Sequence, residues 1–428
     1  MALRGILIGL SCLKLIYDLF TIWLNERQRE KPLPDEVADI YDAQRYEQYL
    51  DYKKENKKLF FTRQLIMLFL DIVFILFTDF FAWIERLVGV NVYLIFFATY
   101  LCVFVINEMI SIGINYYDTF VIEERFGLNK KDKKEFVKEQ CIDGIIEFVM
   151  MMAIMGFLIF VCEHLDGWTN HFRISYLQSF FICFGLCCAF FLLMLLVSLL
   201  GVLAMKLQYQ FTPLPKGELR SAIEEVLKGC KKKIRQIYVY NESKKSTSKN
   251  AFLLRILGYR EISIADNFIN ENDYRELLAV LSHEIGHLRH KKNIYNYLNY
   301  GIVLVLFCLF VWLLPNIEVV KAYIQWVQVS FNLSNINYYV QVMVFSSLLS
   351  PLLALLNIYH NFVSRREEYE ADRYAVSLGY GNELIKTFKT LSSDEFVNVN
   401  PAYLVEVLEY DHPGMYRRIK AILDGMKG

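Results

Sequence analysis

Residues 177–206 read LQSFFICFGLCCAFFLLMLLVSLLGVLAMK, with a single charge in the whole stretch, the closing Lys206. A helix rises about 1.5 Å per residue, so this stretch outspans the ~30 Å hydrocarbon core of a bilayer. It has no polar face to turn toward water, as a surface helix of a globular domain would. Outward from it, six more runs of the same kind occupy approximately 5–24, 65–86, 92–114, 145–163, 297–315 and 338–360. They explain why 55% of the chain is hydrophobic and only 21% charged; a soluble domain has about 45–50% and about 25%. Buried helices of one large soluble protein do not come in that number at that length. The expected fold class is mainly α, with seven membrane-spanning helices. The run at 5–24 lacks a convincing small-residue cleavage site and leads straight into Asn25-Glu26-Arg27-Gln28. It reads as a retained first helix rather than a signal peptide.

The net charge is zero, yet the basic residues are shared unevenly. With seven crossings, one side of the membrane receives 25–64, 115–144, 207–296 and 361–428. These carry nearly all the Lys and Arg, among them Lys53, Lys54, Lys57, Lys58, Lys130, Lys131, Lys133 and Lys134. The other side receives 87–91, 164–176 and 316–337, with few, such as Arg173 and Lys321. The positive-inside rule makes the first side cytosolic, the N-terminus lumenal and the C-terminus cytosolic. The chain then divides into 1–206 (helices one to five, with cytosolic loops 25–64 and 115–144), a cytosolic segment 207–296, helices six and seven in 297–361, and a C-terminal cytosolic segment 362–428. Balanced acids leave no basic stripe for a nucleic acid. The 9 Cys form no C-x-x-C pair, and those in apolar runs, such as Cys183 and Cys187, read as small buried hydrophobes.

Between the runs, segment 32–58 carries Tyr41, Tyr46, Tyr49 and Tyr52 at helical spacing and reads as an amphipathic cytosolic helix. Segment 115–144 reads as a charged loop turning at Gly127-Leu128-Asn129-Lys130, with a helix after it. In 207–296, Pro213 and Pro215 break the chain and Ser221–Lys228 is a short helix. Ile234–Tyr240, Asn250–Leu257 and Glu261–Ala265 are strand-like, which predicts a small antiparallel sheet. Asp273 offers an N-cap for a helix over Tyr274–His290, with Leu277, Leu278, Leu281, Ile285 and Leu288 on its apolar face.

That helix carries His283-Glu284-Ile285-Gly286-His287. Positions i and i+4 share a helix face, so both imidazoles can reach one Zn²⁺, and the intervening Glu is placed to take a proton from water. The alternative is a helix with two solvated or core histidines. A catalytic zinc takes three protein ligands. Glu368 and Asp372 stand i,i+4 on the continuation of the seventh run, which passes His360 without Gly or Pro. One would serve as ligand and the other would orient a ligand His, unless they belong to a solvated face with Arg365, Arg366, Glu367 and Glu370. His412, before Pro413, could donate to a developing oxyanion, or be an ordinary surface His. Arg418 could pair with a site carboxylate, though solvation is the simpler reading. His290 reads as a bystander, and His164, His171 and His360 have no ligand spacing. The intramembrane acids Asp71, Asp79, Glu108 and Glu147 are costly in lipid and face either a wet chamber or partners near helix ends.

Taken together, these residues resemble the type I CaaX prenyl endopeptidases, zinc membrane proteases that also mature prenylated lamin and yeast mating pheromone. The resemblance rests on Asn25-Glu26-Arg27-Gln28, Tyr117 to Gly127, Phe211-Thr212-Pro213-Leu214-Pro215, Ser246 to Phe252, the zinc pentapeptide, Ser364-Arg365, Glu368 to Asp372, and His412-Pro413 with Arg418. It implies a seven-helix barrel around a water-filled chamber with a cytosolic catalytic cap. It implies one Zn²⁺ held by His283, His287 and Glu368, with Glu284 as base and His412, Asp372 and Arg418 in the site. It also implies a substrate laid along Asn250-Ala251-Phe252. The implied activity is removal of the C-terminal tripeptide from prenylated Cys-a-a-X proteins, with N-terminal maturation cleavage as an added capacity. The implied setting is the endoplasmic reticulum membrane, with the inner nuclear membrane as a second location, lipid around the protein and the translocon as a further partner. Leu288, Asp411, Gly414 and the short stretch before Pro401 depart from the family pattern, none at a ligand or the base. Two other readings stand beside it. One is a broad quality-control metalloprotease clearing stalled translocation substrates; the other is a non-proteolytic seven-helix receptor or scaffold.

Overall fold

The computed structural model describes every residue except 1, 77–78, 172–174, 229–232, 257–258, 270–273, 290–300, 303, 307, 310–311, 314–316, 331–337 and 428. The apolar runs fold as long helices: α1 (Ala2–Arg29), α2 (Ala43–Leu76), α4 (Val92–Tyr117), α5 (Lys133–His171) and α6 (Tyr176–Gln208), with a short α3 (Asp79–Val88) between the second and third. Local chemistry fixes their starts. Asn91 caps α4 by accepting from Leu94 N, and Ser175 opens α6 with a reciprocal capping box to Gln178. Among the described residues, 4 helices are long and apolar enough to cross a membrane: Leu3–Arg29, Ala43–Leu76, Val92–Glu123 and Lys133–Phe157. The fifth run lies on α6 and the seventh on α10 (Tyr338–Ser377). Most of the sixth run, 297–315, falls outside the described residues, as do Asp273 and His290. The chain is a mainly helical, multi-pass integral membrane protein.

Two polar segments differ from expectation. The expected helix over 32–58 begins only at Ala43 and runs unbroken into the second apolar run. Nothing between Ala43 and Leu76 breaks the helix, since that stretch lacks Gly and Pro. The expected loop after residue 115 is helical as far as Arg125, through a wider π-type turn over Asp118–Glu123. The turn itself comes at Gly127, whose φ of 76° suits glycine.

The polar segment carries α7 (Glu218–Lys228), α8 (Arg275–Arg289) and four strands, β1 (Phe211–Pro213), β2 (Gln236–Tyr240), β3 (Ala251–Ile256) and β4 (Tyr259–Ala265). Their order is β1-β2-β4-β3. The sheet is mixed, which corrects the antiparallel expectation. β1 with β2 and β3 with β4 are antiparallel, but β2 and β4 run parallel, Ile237 facing Ile262. The connection 241–250 carries the chain past the place beside β2, so β3 takes the far edge and β4 returns between them. β1 ends at Pro213, which has no N–H to give; an edge position tolerates that. Leu277, Leu281 and α7's Ile223 pack with Ile262 and Ile264 in one core. Burying each such side chain contributes about 1.5–3 kcal/mol.

The remaining helices are α9 (Glu318–Ser330), α11 (Gly381–Asp394), α12 (Tyr403–Glu409) and α13 (Met415–Lys427). The start and end of the chain clasp each other here. Val37, Ile40 and Tyr41 pack with Leu384, Phe396 and Ile419. The Tyr41 hydroxyl lies 2.7 Å from Ser392 O and 2.8 Å from Val397 O, and Ala402 N donates to Asn25 Oδ1 at 3.0 Å.

Candidate metal centre

One side of α8 faces the sheet core through Leu277, Leu281 and other apolar residues. Another side meets α10. The approach there is close because both helices are small at the contact. A Cβ added at Gly286 would lie 2.7 Å from the Ala371 Cα and 3.1 Å from its Cβ. Gly286 stands between His283 and His287, and Ala371 between Glu368 and Asp372. The contact thus draws two imidazoles and two carboxylates together. Sequence reasoning quoted both small residues but gave neither a role. Replacing Gly286 by Ala is expected to push the helices apart by several tenths of an ångström. The purified protein should then lose most of its bound metal, measured by plasma emission, and unfold at lower temperature; wild-type metal content would refute the packing argument.

His283 Nε2 and His287 Nε2 are 3.2 Å apart. The Glu368 carboxylate lies 3.4 Å from the first, through Oε2, and 3.2 Å from the second, through Oε1. With ligand bonds of about 2.0–2.2 Å, the edge of a tetrahedral zinc site is roughly 3.3–3.5 Å. The three groups match such a triangle, and they form one of the clusters able to hold a metal ion. Glu368 Oε2 is buried and accepts no hydrogen bond, although Arg418 Nη2 is 3.2 Å away. An orphaned carboxylate oxygen facing the His283 ring nitrogen suits a cation.

Behind this triangle lies a second layer of contacts. Asp372 Oδ1 is 2.9 Å from His283 Nδ1. A proton on Nδ1 donated to that carboxylate leaves Nε2 with its lone pair facing inward. Arg418 grips Asp372 with a fork, Nη2 to Oδ1 at 2.7 Å and Nε to Oδ2 at 2.9 Å. Arg418, Asp372 and Glu368 are all buried, so the solvated reading of Arg418 and of the late acids does not hold. Burial by itself would push the Glu368 carboxyl up, but the facing rings of His283 and His287 and the Arg418 charge hold it far below the usual range. Asp372 is likewise raised by burial and lowered by more, chiefly by Arg418. Burial would lower His283, yet the Asp372 and Glu368 carboxylates beside it carry it up to about 9. Without a metal the carboxylates recruit a proton as counter-charge. A metal must displace it, so uptake weakens as pH falls.

His412 is half-exposed and bridges outward and inward, with Nδ1 2.8 Å from Asp411 Oδ1 and Nε2 3.4 Å from Glu368 Oε1. Asp411, a departure from the family pattern, orients that ring. Gly414, another departure, donates its N–H to Glu406 Oε2 at 2.9 Å, a bond proline could not make. Glu406 also pairs with Arg417, next to Arg418. Glu284 is half-buried, one residue on from His283. Asn250 is exposed at the head of β3, Ala251 is buried, and the Phe252 ring packs 5.5 Å from Tyr240. β3 is a sheet edge in contact with α8, which leaves a row of backbone groups open to an added strand.

Residues 24–201 match the family model of the CAAX prenyl protease N-terminal region, five membrane helices, and residues 213–425 match that of peptidase family M48. A probable CAAX prenyl protease 1 of Schizosaccharomyces pombe is 29% identical over 439 residues, covering 97% of this chain and 88% of the relative. CAAX prenyl protease 1 of Saccharomyces cerevisiae is 26% identical over 328 residues, covering 74% of this chain and 69% of the relative. The crystal structure of S. mikatae Ste24p aligns with a TM-score of 0.76 at 22% identity, over 99% of both chains, and shares the fold. The two matched regions join a set of membrane helices to a His-and-Glu metal triangle, and the chain belongs to peptidase family M48, among its membrane-embedded CAAX prenyl protease metalloproteases.

Proposed function

We propose that this chain is a zinc endopeptidase that removes the C-terminal tripeptide from prenylated Cys-a-a-X proteins. The observation that carries it is the buried triangle of His283, His287 and Glu368, whose 3.2–3.4 Å edges suit zinc. Bound there, the ion supplies Lewis acidity that polarises the scissile carbonyl and brings water's pKa toward neutrality. Glu284 takes the proton of the attacking water and returns it to the leaving amine. His412, held by Asp411, donates to the oxygen of the cleaved carbonyl as charge develops there. Asp372 fixes the His283 tautomer, and Arg418 holds Asp372 and neutralises the buried pair. The substrate adds to β3 as an extended strand along Asn250, Ala251 and Phe252; backbone pairing tolerates varied sequences.

The same reading places 1–206 and 297–361 in the membrane as seven helices around a chamber, and 207–296 with 362–428 as a cytosolic cap. It places the enzyme in the endoplasmic reticulum membrane, where a prenylated tail partitions into lipid. The test is cleavage of a farnesylated Cys-a-a-X peptide by the purified full-length protein. Cleavage should stop with a zinc chelator and return with Zn²⁺, and the unprenylated peptide should be a poor substrate. Equal cleavage of both peptides would favour a broad quality-control protease instead.

A further inference from the structure

The outer side of α10 changes character along its length. Leu355, Tyr359, Phe362, Arg366, Tyr369 and Arg373 follow one another at spacings of three and four, so they lie on one face of a single helix. The first part of that face is apolar and bare, with Leu355 65% and Phe362 58% exposed. Such side chains have an apolar surface to bury, and in a membrane protein lipid can cover it. Arg366 follows Phe362 by one turn, its side chain 75% exposed and its Nε 3.4 Å from Glu370. Arg373, two turns further on, is also exposed. Side chains on a helix lean toward its N-terminus. Here that direction is back toward the apolar part of the face, so both guanidinium groups lean toward it.

Beside this face lies a groove of about 750 Å³ between α10, α12 and α13. Four arginines and one carboxylate, Glu406, line it. Two of the arginines are committed to structure. Arg365 is buried and donates to the carbonyl oxygens of Glu406 and Tyr410, while Arg417 pairs with Glu406 and lies 5.0 Å from the Tyr403 ring centroid. The groove's one carboxylate is thus neutralised from within, while Arg373 and the Arg366 that contacts Glu370 stand exposed at the rim. Aliphatic and aromatic walls below and guanidinium groups above match one ligand chemistry, an acyl chain ending in a phosphate diester. Arginine's planar fork suits phosphate oxygens better than a point charge would.

We propose that this groove binds an anionic glycerophospholipid from the leaflet on the catalytic side. Its phosphate sits on Arg366 and Arg373, and an acyl chain lies along Leu355, Tyr359 and Phe362. The opposite side of the same helix carries Glu368 and Asp372, so the lipid steadies the helix that completes the metal triangle without touching the triangle. The site is independent of which peptide the protein cleaves, and it is tested by binding alone. Native mass spectrometry of the full-length protein in detergent, titrated with phosphatidylserine or phosphatidylcholine, reads the retained lipid. Phosphatidylserine should be retained in preference. The double variant Arg366→Ala with Arg373→Ala should bind it about thirtyfold more weakly, at roughly a fivefold loss per arginine near a charged headgroup. The variant with lysine at both positions should recover part of that loss, which separates lost charge from lost fold. Equal retention of the two lipids, unchanged binding by the alanine variant, or complete displacement by millimolar inorganic phosphate would each overturn the proposal.

Discussion

Replacing Glu284 by Gln is expected to lower peptide cleavage by about 10²- to 10⁴-fold, the usual share of a positioned general base. Glutamine keeps the shape and volume of the side chain but cannot accept a proton from water. The metal content should not change, because Glu284 is no corner of the triangle formed by His283, His287 and Glu368. The two readouts therefore separate. Cleavage of the farnesylated peptide should collapse while plasma emission still finds metal at the wild-type ratio. Activity near wild type would remove Glu284 from the reaction, and loss of metal would make it a structural residue instead.

The second large effect is expected at Arg418. Its guanidinium is buried and holds Asp372 by two bonds of 2.7 and 2.9 Å, with Glu368 3.2 Å away. Substituting Leu fills much of the same space but leaves the two carboxylates facing histidine rings without a guanidinium. Breaking a buried ion pair from one side costs about 3–5 kcal/mol. Part of this is regained if the carboxylates take up protons, and a protonated Glu368 is a poor metal ligand. The Arg418→Leu protein should therefore unfold at lower temperature and lose metal at a milder pH than wild type. Arg418→Lys keeps the charge without the fork, and should fall between the two. A metal-binding curve against pH that is the same in all three would show that Arg418 does not support the site.

Which parts of this could be read beforehand follows from the physics of each signal. Four of the expected spans were legible as apolar runs and stand as long apolar helices among the described residues. The face of α8 was legible too, since Leu277, Leu281 and Ile285 repeat at helical spacing and all are buried. His283 and His287 announce themselves because their spacing is local. Glu368 and Asp372 were ambiguous, because an acid on a helix has the same spacing whether it meets a metal or water. Only the approach of α8 settles their environment, and that approach depends on Gly286 against Ala371, a pair whose meaning lies in the partner helix. Arg418 looked like a surface residue for the same reason: nothing near it in the chain shows that Asp372 waits 46 positions away. The parallel pairing of β2 with β4 was hidden as well. Alternation marks strands and turns, but not on which side of an earlier strand a later one docks.

The clasp between the two ends of the chain bears on how the enzyme comes into being. Asn25 leaves the ribosome 377 residues ahead of its partner Ala402. The metal triangle lacks its third corner until Glu368 is made, and His412 and Arg418 follow 44 and 50 residues later. A growing chain therefore has no working blade while its membrane helices are still being inserted. The site is therefore assembled only after the helix that carries Glu368 has formed, and a chain that stops before residue 418 leaves Asp372 without its guanidinium partner.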